Sequence, residues 1–489
     1  MSAKWTKSAL LVWLVTLVVL PATARPEHAG SQCQCQPTAQ EAGQQSGKEK
    51  PDQTPHDHSM PEDRKHSGEQ EQAVHEGMTM GGMNMAKMNP AGMLLMDEAS
   101  GTSVNPASSP MHMASAQSGT WTFMFHGILY LSEIQQSGPR GAGKFISTNW
   151  FMGMAEHDMG HGSFLFRAML SLDPVTVTQR RYPELFQTGE TAFGKPLVDG
   201  QHPHDLFMEL AFQYAHPVGE KTILSLYFAP IGDPALGPVA FPHRVSAAEI
   251  PQAPLSHHLQ DSTHIADEVI TASTKHGSFR IEVGGFHGAE PNENRWNIDA
   301  GAIDSWAARF SVTPTKNWAA QVSAGRLKRP EAAEPGDIVR STGSVTYNRP
   351  LTNGNWATSL IWGRNHKTPA PRNLNSYLVE SVLQFRKKNY LSGRIELVDK
   401  DELFDDQPDI RARLASTVGS VFRIAAYTMG YTRDVSLIPR VETGFGANLT
   451  LYTIPSALKP FYADHPVAGY FFLRMRLKQS DSMYGMQMP

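Results

Sequence analysis

Histidine and methionine crowd three stretches of this chain at spacings suited to holding a metal ion. The first carries His56, His58, Met60 and His66, then His75, Met78, Met80, Met83, Met85, Met88, Met93 and Met96, and ends on Met111-His112-Met113. Thioethers are soft, uncharged ligands that select Cu(I), and imidazole accommodates Cu(II) and zinc. A thioether needs no deprotonation, so it keeps its ligand character in acid. These methionines sit among Gly, Asn, Lys and Thr, and only Leu94-Leu95 offer the aliphatic company a core helix would need. The expectation is a copper-capturing segment, with a low-complexity linker as the plain alternative. Cys33 and Cys35 are too close to pair comfortably with each other and offer at most extra thiolate ligands.

The second stretch reads Met152-Gly-Met154-Ala-Glu-His157-Asp-Met159-Gly-His161. Met152, Met154, His157, Met159 and His161 are five potential ligands of a second copper-handling patch, or the histidines cap a hairpin and Met152 and Met154 are ordinary strand residues. The third gathers His202-Pro-His204-Asp205, Pro242-His243-Arg244, and His257-His258 with Asp261 and His264. Such residues fix loop shape by hydrogen bonding, or coordinate a first-row metal while Asp orients the imidazoles. Ser256, Ser262, His257 and Asp261 also supply the residue types of a hydrolase triad. No Gly-x-Ser-x-Gly elbow surrounds either serine, and no Walker loop, dinucleotide fingerprint or His-Glu-x-x-His occurs. The chain is therefore not expected to be an enzyme.

The Met/His segment, in motifs such as Asp57-His58-Ser59-Met60, resembles the leader of outer-membrane copper-resistance protein B from copper-resistance operons. The remainder, through Asp199-Gly-Gln-His-Pro-His-Asp-Leu-Phe-Met-Glu209 and Leu255-Ser-His-His-Leu-Gln-Asp-Ser-Thr-His264, is similar to bacterial outer-membrane barrels associated with heavy-metal resistance. That family has no established activity, so the resemblance implies a setting and no mechanism.

The elements that must position these residues are strands. In Gly469-Tyr-Phe-Phe-Leu-Arg-Met-Arg-Leu-Lys478, Phe471, Leu473, Met475 and Leu477 share one face, and Phe472, Arg474, Arg476 and Lys478 the other. That alternation suits a sheet with lipid on one side and water on the other, and it recurs through the chain. Sixteen strands are expected, at 121–132, 144–155, 162–172, 205–216, 221–230, 262–275, 278–288, 302–313, 317–327, 338–349, 355–364, 374–386, 390–399, 420–434, 440–453 and 466–478. Links after even-numbered strands are short and the others mostly long, reaching about thirty residues at 173–204 and 231–261. The fold class is all-β, a transmembrane antiparallel barrel of about 16 strands. Short periplasmic turns would place the Met/His segment and the C-terminus in the periplasm.

By parity, Arg167, Glu209, Arg280, Glu282, Arg309, Glu380, Arg394, Glu396, Glu442, Arg474 and Arg476 face inward, lining a pore or closing a plugged lumen. Trp121, Trp150, Trp306, Trp318, Trp356, Trp362, Tyr390 and Tyr470 are expected in interfacial girdles.

The remaining boundaries follow from composition. Lys4 and Lys7, the apolar run Ala9–Leu20 and Ala22-Thr23-Ala24 read as a signal peptide over 1–24. Residues 25–118 are poor in aromatics and are expected to be disordered. The barrel occupies 119–478, and 479–489 form a tail carrying Met483, Met486 and Met488. A formal net charge of −4 over 489 residues suggests no nucleic-acid role. The partners implied are outer-membrane lipid, metal ions and periplasmic copper-handling proteins, with copper as cargo that folding does not require. A porin-like channel is the alternative function, and a surface enzyme using the loop histidines the third.

Overall fold

In the computed structural model, residues 89–478 are described, together with the backbone of two short strands at Thr79–Met80 and Met83–Asn84. The expected signal peptide, most of the expected copper-capturing segment and the C-terminal tail lie outside the described residues.

Sixteen long antiparallel strands close into a barrel. They are β1 (Trp121–Gln136), β2 (Gly143–Met159), β3 (Gly162–Leu170), β4 (Phe207–Pro217), β5 (Thr222–Gly232), β6 (Ala266–His276), β7 (Phe279–Phe286) and β8 (Ser305–Thr315). The circuit continues with β9 (Trp318–Leu327), β10 (Ile338–Leu351), β11 (Gly354–Lys367), β12 (Arg372–Phe385), β13 (Asn389–Lys400), β14 (Phe422–Ile438), β15 (Val441–Thr453) and β16 (Val467–Leu477). All the expected strands are present in order. Closure joins β16 to β1, from Ala468↔Gln136 to Arg476↔Ile128. Below that point Met113–Ser118 takes over the same edge of β1, from Met113↔His126 to Ser118↔Trp121. No part of β1 is left as an open edge along this ladder, which removes the hazard that unpaired strands carry.

One rim carries the short turns. Gly160 (φ +66°) and Gly277 (φ +56°) supply the left-handed backbone that two-residue hairpins require. The outer face is apolar in alternation: Val322 and Leu360 are each 58 % exposed and Phe471 61 %. With no aqueous partner for such a belt, it is the face of a membrane barrel. No described helix is long and apolar enough to cross a membrane.

The inward set expected from parity is buried, Glu442 being the most accessible member. The girdle assignment is corrected at three positions. Trp150, Tyr390 and Tyr470 point inward and are buried, whereas Trp121, Trp306, Trp318 and Trp356 are exposed.

The expected disorder also ends earlier than residue 118. The helix Pro90–Met96 starts at Asn89, whose Oδ1 accepts the Gly92 N–H at 2.8 Å, and Pro90 occupies the first turn where its missing N–H costs nothing. Its buried Ala91, Leu94, Leu95 and Met96 pack against Met124, Leu165, Ala215 and Ile223 of the wall. This segment is short of apolar residues by itself. The barrel supplies the other half of its core.

Candidate functional site: the filled lumen

Two of the segments that fill the barrel carry the site. One is the strap 89–112; the other is the link 233–265 between β5 and β6, nearly all of it buried. Neither belongs to the barrel's ladder, and both are held to the wall by polar contacts beside their apolar packing. Glu98 of the strap meets Arg280 at 2.8 Å, with Arg167 at 3.9 Å, and Gln213 donates to it at 3.0 Å. Gly101 turns at φ +49° beneath Asp233, with no room for a side chain, and its carbonyl accepts from Arg167 at 2.6 Å. On the link, Arg244 bridges Asp261 at 2.9 Å and Glu380 at 2.5 Å, and Glu380 also receives Arg394 at 3.0 Å. Glu249 pairs with Arg474 and with Arg476, the latter at 3.1 Å. Of the two meanings of a mixed-charge interior, these contacts are mutual neutralisation, which desolvated charges need in order to stay buried.

Between strap, link and wall lies a cavity of about 250 Å³. Met111, His112, Met113, His126, Trp150, Met152, Met154, His204 and His243 line it. Parity along β2 brings Met152 inward, 3.1 Å from His126 Nε2 of β1. A turn of the link brings His243 Nε2 to 3.2 Å from Met169 of β3. The His126 and His243 rings lie 6.1 Å apart, and Trp150 packs on both, at 5.1 and 4.4 Å. His126, Met152 and His243 thus share one wall of the cavity, and Met169 contacts His243 without lining it.

From there the histidines continue as a row. Phe241 packs on His204, His264 and His257 at 6.0, 6.1 and 5.2 Å. His204 and His264 are 5.7 Å apart, His264 and His257 5.2 Å, His257 and His258 5.2 Å, and His258 and His202 5.9 Å. All five of the loop histidines expected as ligands therefore lie together inside the barrel. Their Nδ1 or Nε2 partners fix most of them: His204 Nδ1 is 3.0 Å from Asp173, His257 Nδ1 2.8 Å from Asp261, His202 Nε2 3.0 Å from Glu190, and His264 Nδ1 2.9 Å from the Asp261 carbonyl.

Burial lowers the pKa of His202, His243, His257 and His264. It pushes His257 down to about 4 despite Asp261, and drives His243 and His264 well below the usual imidazole range, helped by neighbouring histidines. His202 is lowered in the same way. Neutral imidazoles are the form that binds metal. Asp261 stays below its usual range, because the His257 hydrogen bond and charge and Arg244 outweigh its burial.

The other expected residues are placed differently. His157 lies within β2, its ring stacked on Trp121 at 4.5 Å, while Met159 and His161 are exposed at the hairpin tip. His112 sits between the Leu477 carbonyl at 3.3 Å and Glu442 at 3.5 Å. His56, His58, Met60, His75, Met78, Met85 and Met88 lie outside the described residues, and Met80 and Met83 are described in backbone alone. The hydrolase residue types do not assemble around a serine nucleophile. Ser256 Oγ donates to Glu396 at 2.8 Å, and Ser262 Oγ accepts from Arg340 at 2.9 Å. Sequence reasoning missed Met169, and grouped Met152 and Met154 with the hairpin ligands rather than with the lumen; the signal was parity, which puts Met152 and Met154 on the face opposite the lipid.

No family model and no curated protein matches this chain. Among solved structures, it is similar to an anion-selective porin from Comamonas acidovorans, at 10% identity over 73% of this chain and 100% of that one, with a TM-score of 0.45. A high-pH structure of OprB from Pseudomonas putida is similar at 10% identity over 73% and 94% of the two chains, with a TM-score of 0.46. OmpF of Salmonella typhi, in complex with daunomycin, is similar at 7% identity over 74% and 99%, with a TM-score of 0.43.

Proposed function

We propose that this chain is a barrel of the bacterial outer membrane whose lumen handles copper. The leader residues from His56 to Met88 would capture the ion from periplasmic copper-handling proteins, and the cavity would receive it. One observation supports the reading: the adjacent contacts His126–Met152 and His243–Met169, with His126, Met152 and His243 lining the same cavity as Met111, His112 and Met113. The nitrogen and thioether donors of the His126–Met152 and His243–Met169 pairs are soft and uncharged, which favours Cu(I) over the harder divalent ions. The histidine row offers successive imidazoles at spacings of 5 to 6 Å, suited to handing an ion onward.

The test is Cu(I) competition against a chromogenic chelator, using the full-length protein, a version lacking residues 25–88, and Met152→Leu/Met169→Leu. Residues 89–118 stay in place because the strap is part of the barrel's interior. The expected result is loss of several equivalents on removing the leader. The thioether double variant is expected to lose a further site, weakened at least about tenfold. Unchanged binding in both variants overturns the proposal.

The second reading is a porin-like solute channel, favoured by the wall itself: sixteen long strands with loops folded inward. Single-channel recording separates the two. Steady conductance indifferent to copper supports the channel, and conductance that copper blocks supports the metal-handling lumen.

A further inference from the structure

At the far end of the histidine row the partners change from thioethers to carboxylates. His258 Nδ1 lies 3.8 Å from Glu290 Oε1 and 3.7 Å from Glu331 Oε1, and all three side chains are more than nine-tenths buried. These separations are too long for hydrogen bonds. They approach the spacing of two ligands on one ion, since donors 2.0–2.2 Å from a tetrahedral zinc stand about 3.3–3.6 Å apart. The three ligand atoms lie within 4.8 Å of one another. Both ring nitrogens of His258 and both carboxylate oxygens of Glu290 have no hydrogen-bond partner. Buried polar atoms are rarely left so, and of these His258 Nδ1 and Glu290 Oε1 face each other with Glu331 Oε1 beside them, which asks for an occupant.

The surroundings support the convergence. Glu290 N–H donates to the Pro330 carbonyl at 3.0 Å, which brings the two carboxylate-bearing links together. Glu190 N–H donates to Glu331 Oε2 at 3.3 Å and leaves Oε1 facing His258. Gly189 lies against the His258 ring, where a Cβ would come within 2.5 Å of Cε1. Arg340, the fully buried cation beside His258, donates to Ser262, Asn365 and the His258 carbonyl, and so leaves the carboxylates unbridged. A second acidic group, Glu334 with Asp401 and Glu402, provides the contrast: Lys367 Nζ lies 2.7, 3.2 and 2.5 Å from its members and already serves as its cation.

We infer that His258, Glu290 and Glu331 form a site for one borderline divalent cation of the zinc class, which ties three inter-strand links together over the lumen. One imidazole and two carboxylates suit Zn²⁺ and exclude Cu(I) as the preferred ion, and three protein ligands leave a position for water. This site is separate from the thioether pairs and stands whether or not they bind copper.

The experiment is Zn²⁺ titration by calorimetry on the full-length, chelator-stripped protein in detergent, with metal content measured after desalting. Glu290→Gln and Glu331→Gln, singly and together, keep side-chain volume, and heat-shifted gel mobility checks that each barrel is folded. The expected result is that each single variant loses one equivalent of tight zinc, or weakens it by at least about a hundredfold. Met152→Leu/Met169→Leu should retain that equivalent. Zinc is also expected to slow proteolysis of 287–304 in the wild type and not in the variants. Equal zinc stoichiometry and affinity in wild type and both single variants overturns the site, as does zinc-indifferent proteolysis of the wild type.

Discussion

The wall of this barrel and the segments that fill it are stabilised in different ways. Along the wall, each outward residue needs only lipid: Leu360 on β11 and Val322 on β9 contribute through their own apolar area. Inside, a charge is tolerable only with a counter-charge, which comes from a neighbouring strand, as Arg394 does for Glu380, or from a distant segment. Arg244 on the link meets Glu380 on β12, and Glu249 on the link meets Arg474 on β16. The wall is therefore local and close to additive, whereas the filling is shared among many elements. A lumen built this way resists partial opening until one of its shared charges is removed.

Removing such a charge is expected to have the largest effect. Arg244→Ala strips Asp261 and one oxygen of Glu380 of their cation and should cost about 3–5 kcal/mol, the usual cost of leaving a buried charge uncompensated. Denaturant unfolding of the refolded barrel measures it, and a loss under 1 kcal/mol would break the comparison. An intermediate effect is expected outside. Leu360→Arg, near the middle of β11, should cost about 2–4 kcal/mol in a bilayer and much less in the interfacial zones. The pair sharpens the contrast when combined. Arg244→Ala and Leu360→Arg should add to within about 0.5 kcal/mol, while Arg244→Ala and Arg394→Ala, which share Glu380, should not.

The same division governs what could be read from the chain. A strand facing lipid and water writes its orientation into every second residue, so β1 to β16 and the inward charges were legible. Even Trp150, Tyr390 and Tyr470, assigned to girdles by residue type, had their true direction in their parity. The filling has no such period. Residues 89–112 look incapable of a core because Leu94 and Leu95 find their apolar neighbours on β1, β3, β4 and β5. Likewise Glu290 and Glu331 stand in no motif with His258, since only the closure of three separate links brings them together. The histidines of the third stretch were visible as a group, but their burial inside the barrel was not.

The smallest effect expected concerns the hairpin Tyr182–Ala192/Lys195–Gln201, part of the link between β3 and β4. Its Glu184 is buried and accepts a hydrogen bond from Tyr470 of β16. Burial raises this carboxyl to about 8; Glu396 adds to the rise, and the Tyr470 bond, Arg394 and Lys400 oppose it without reversing it. An unburied glutamate titrates at about 4.3. Between those values the docked hairpin holds a proton that an undocked one has released, so docking is strongest in acid and weakens as pH rises through that window. Hydrogen exchange of the hairpin amides, corrected for intrinsic rates, should accelerate by up to about tenfold per pH unit there. Glu184→Gln should remove this dependence and hold the hairpin at pH 8 as firmly as at pH 5, while the exchange of β11 amides stays flat in both proteins. If the wild-type hairpin is equally protected at both pH values, Glu184 is not the group that makes this part of the filling weaker than the wall.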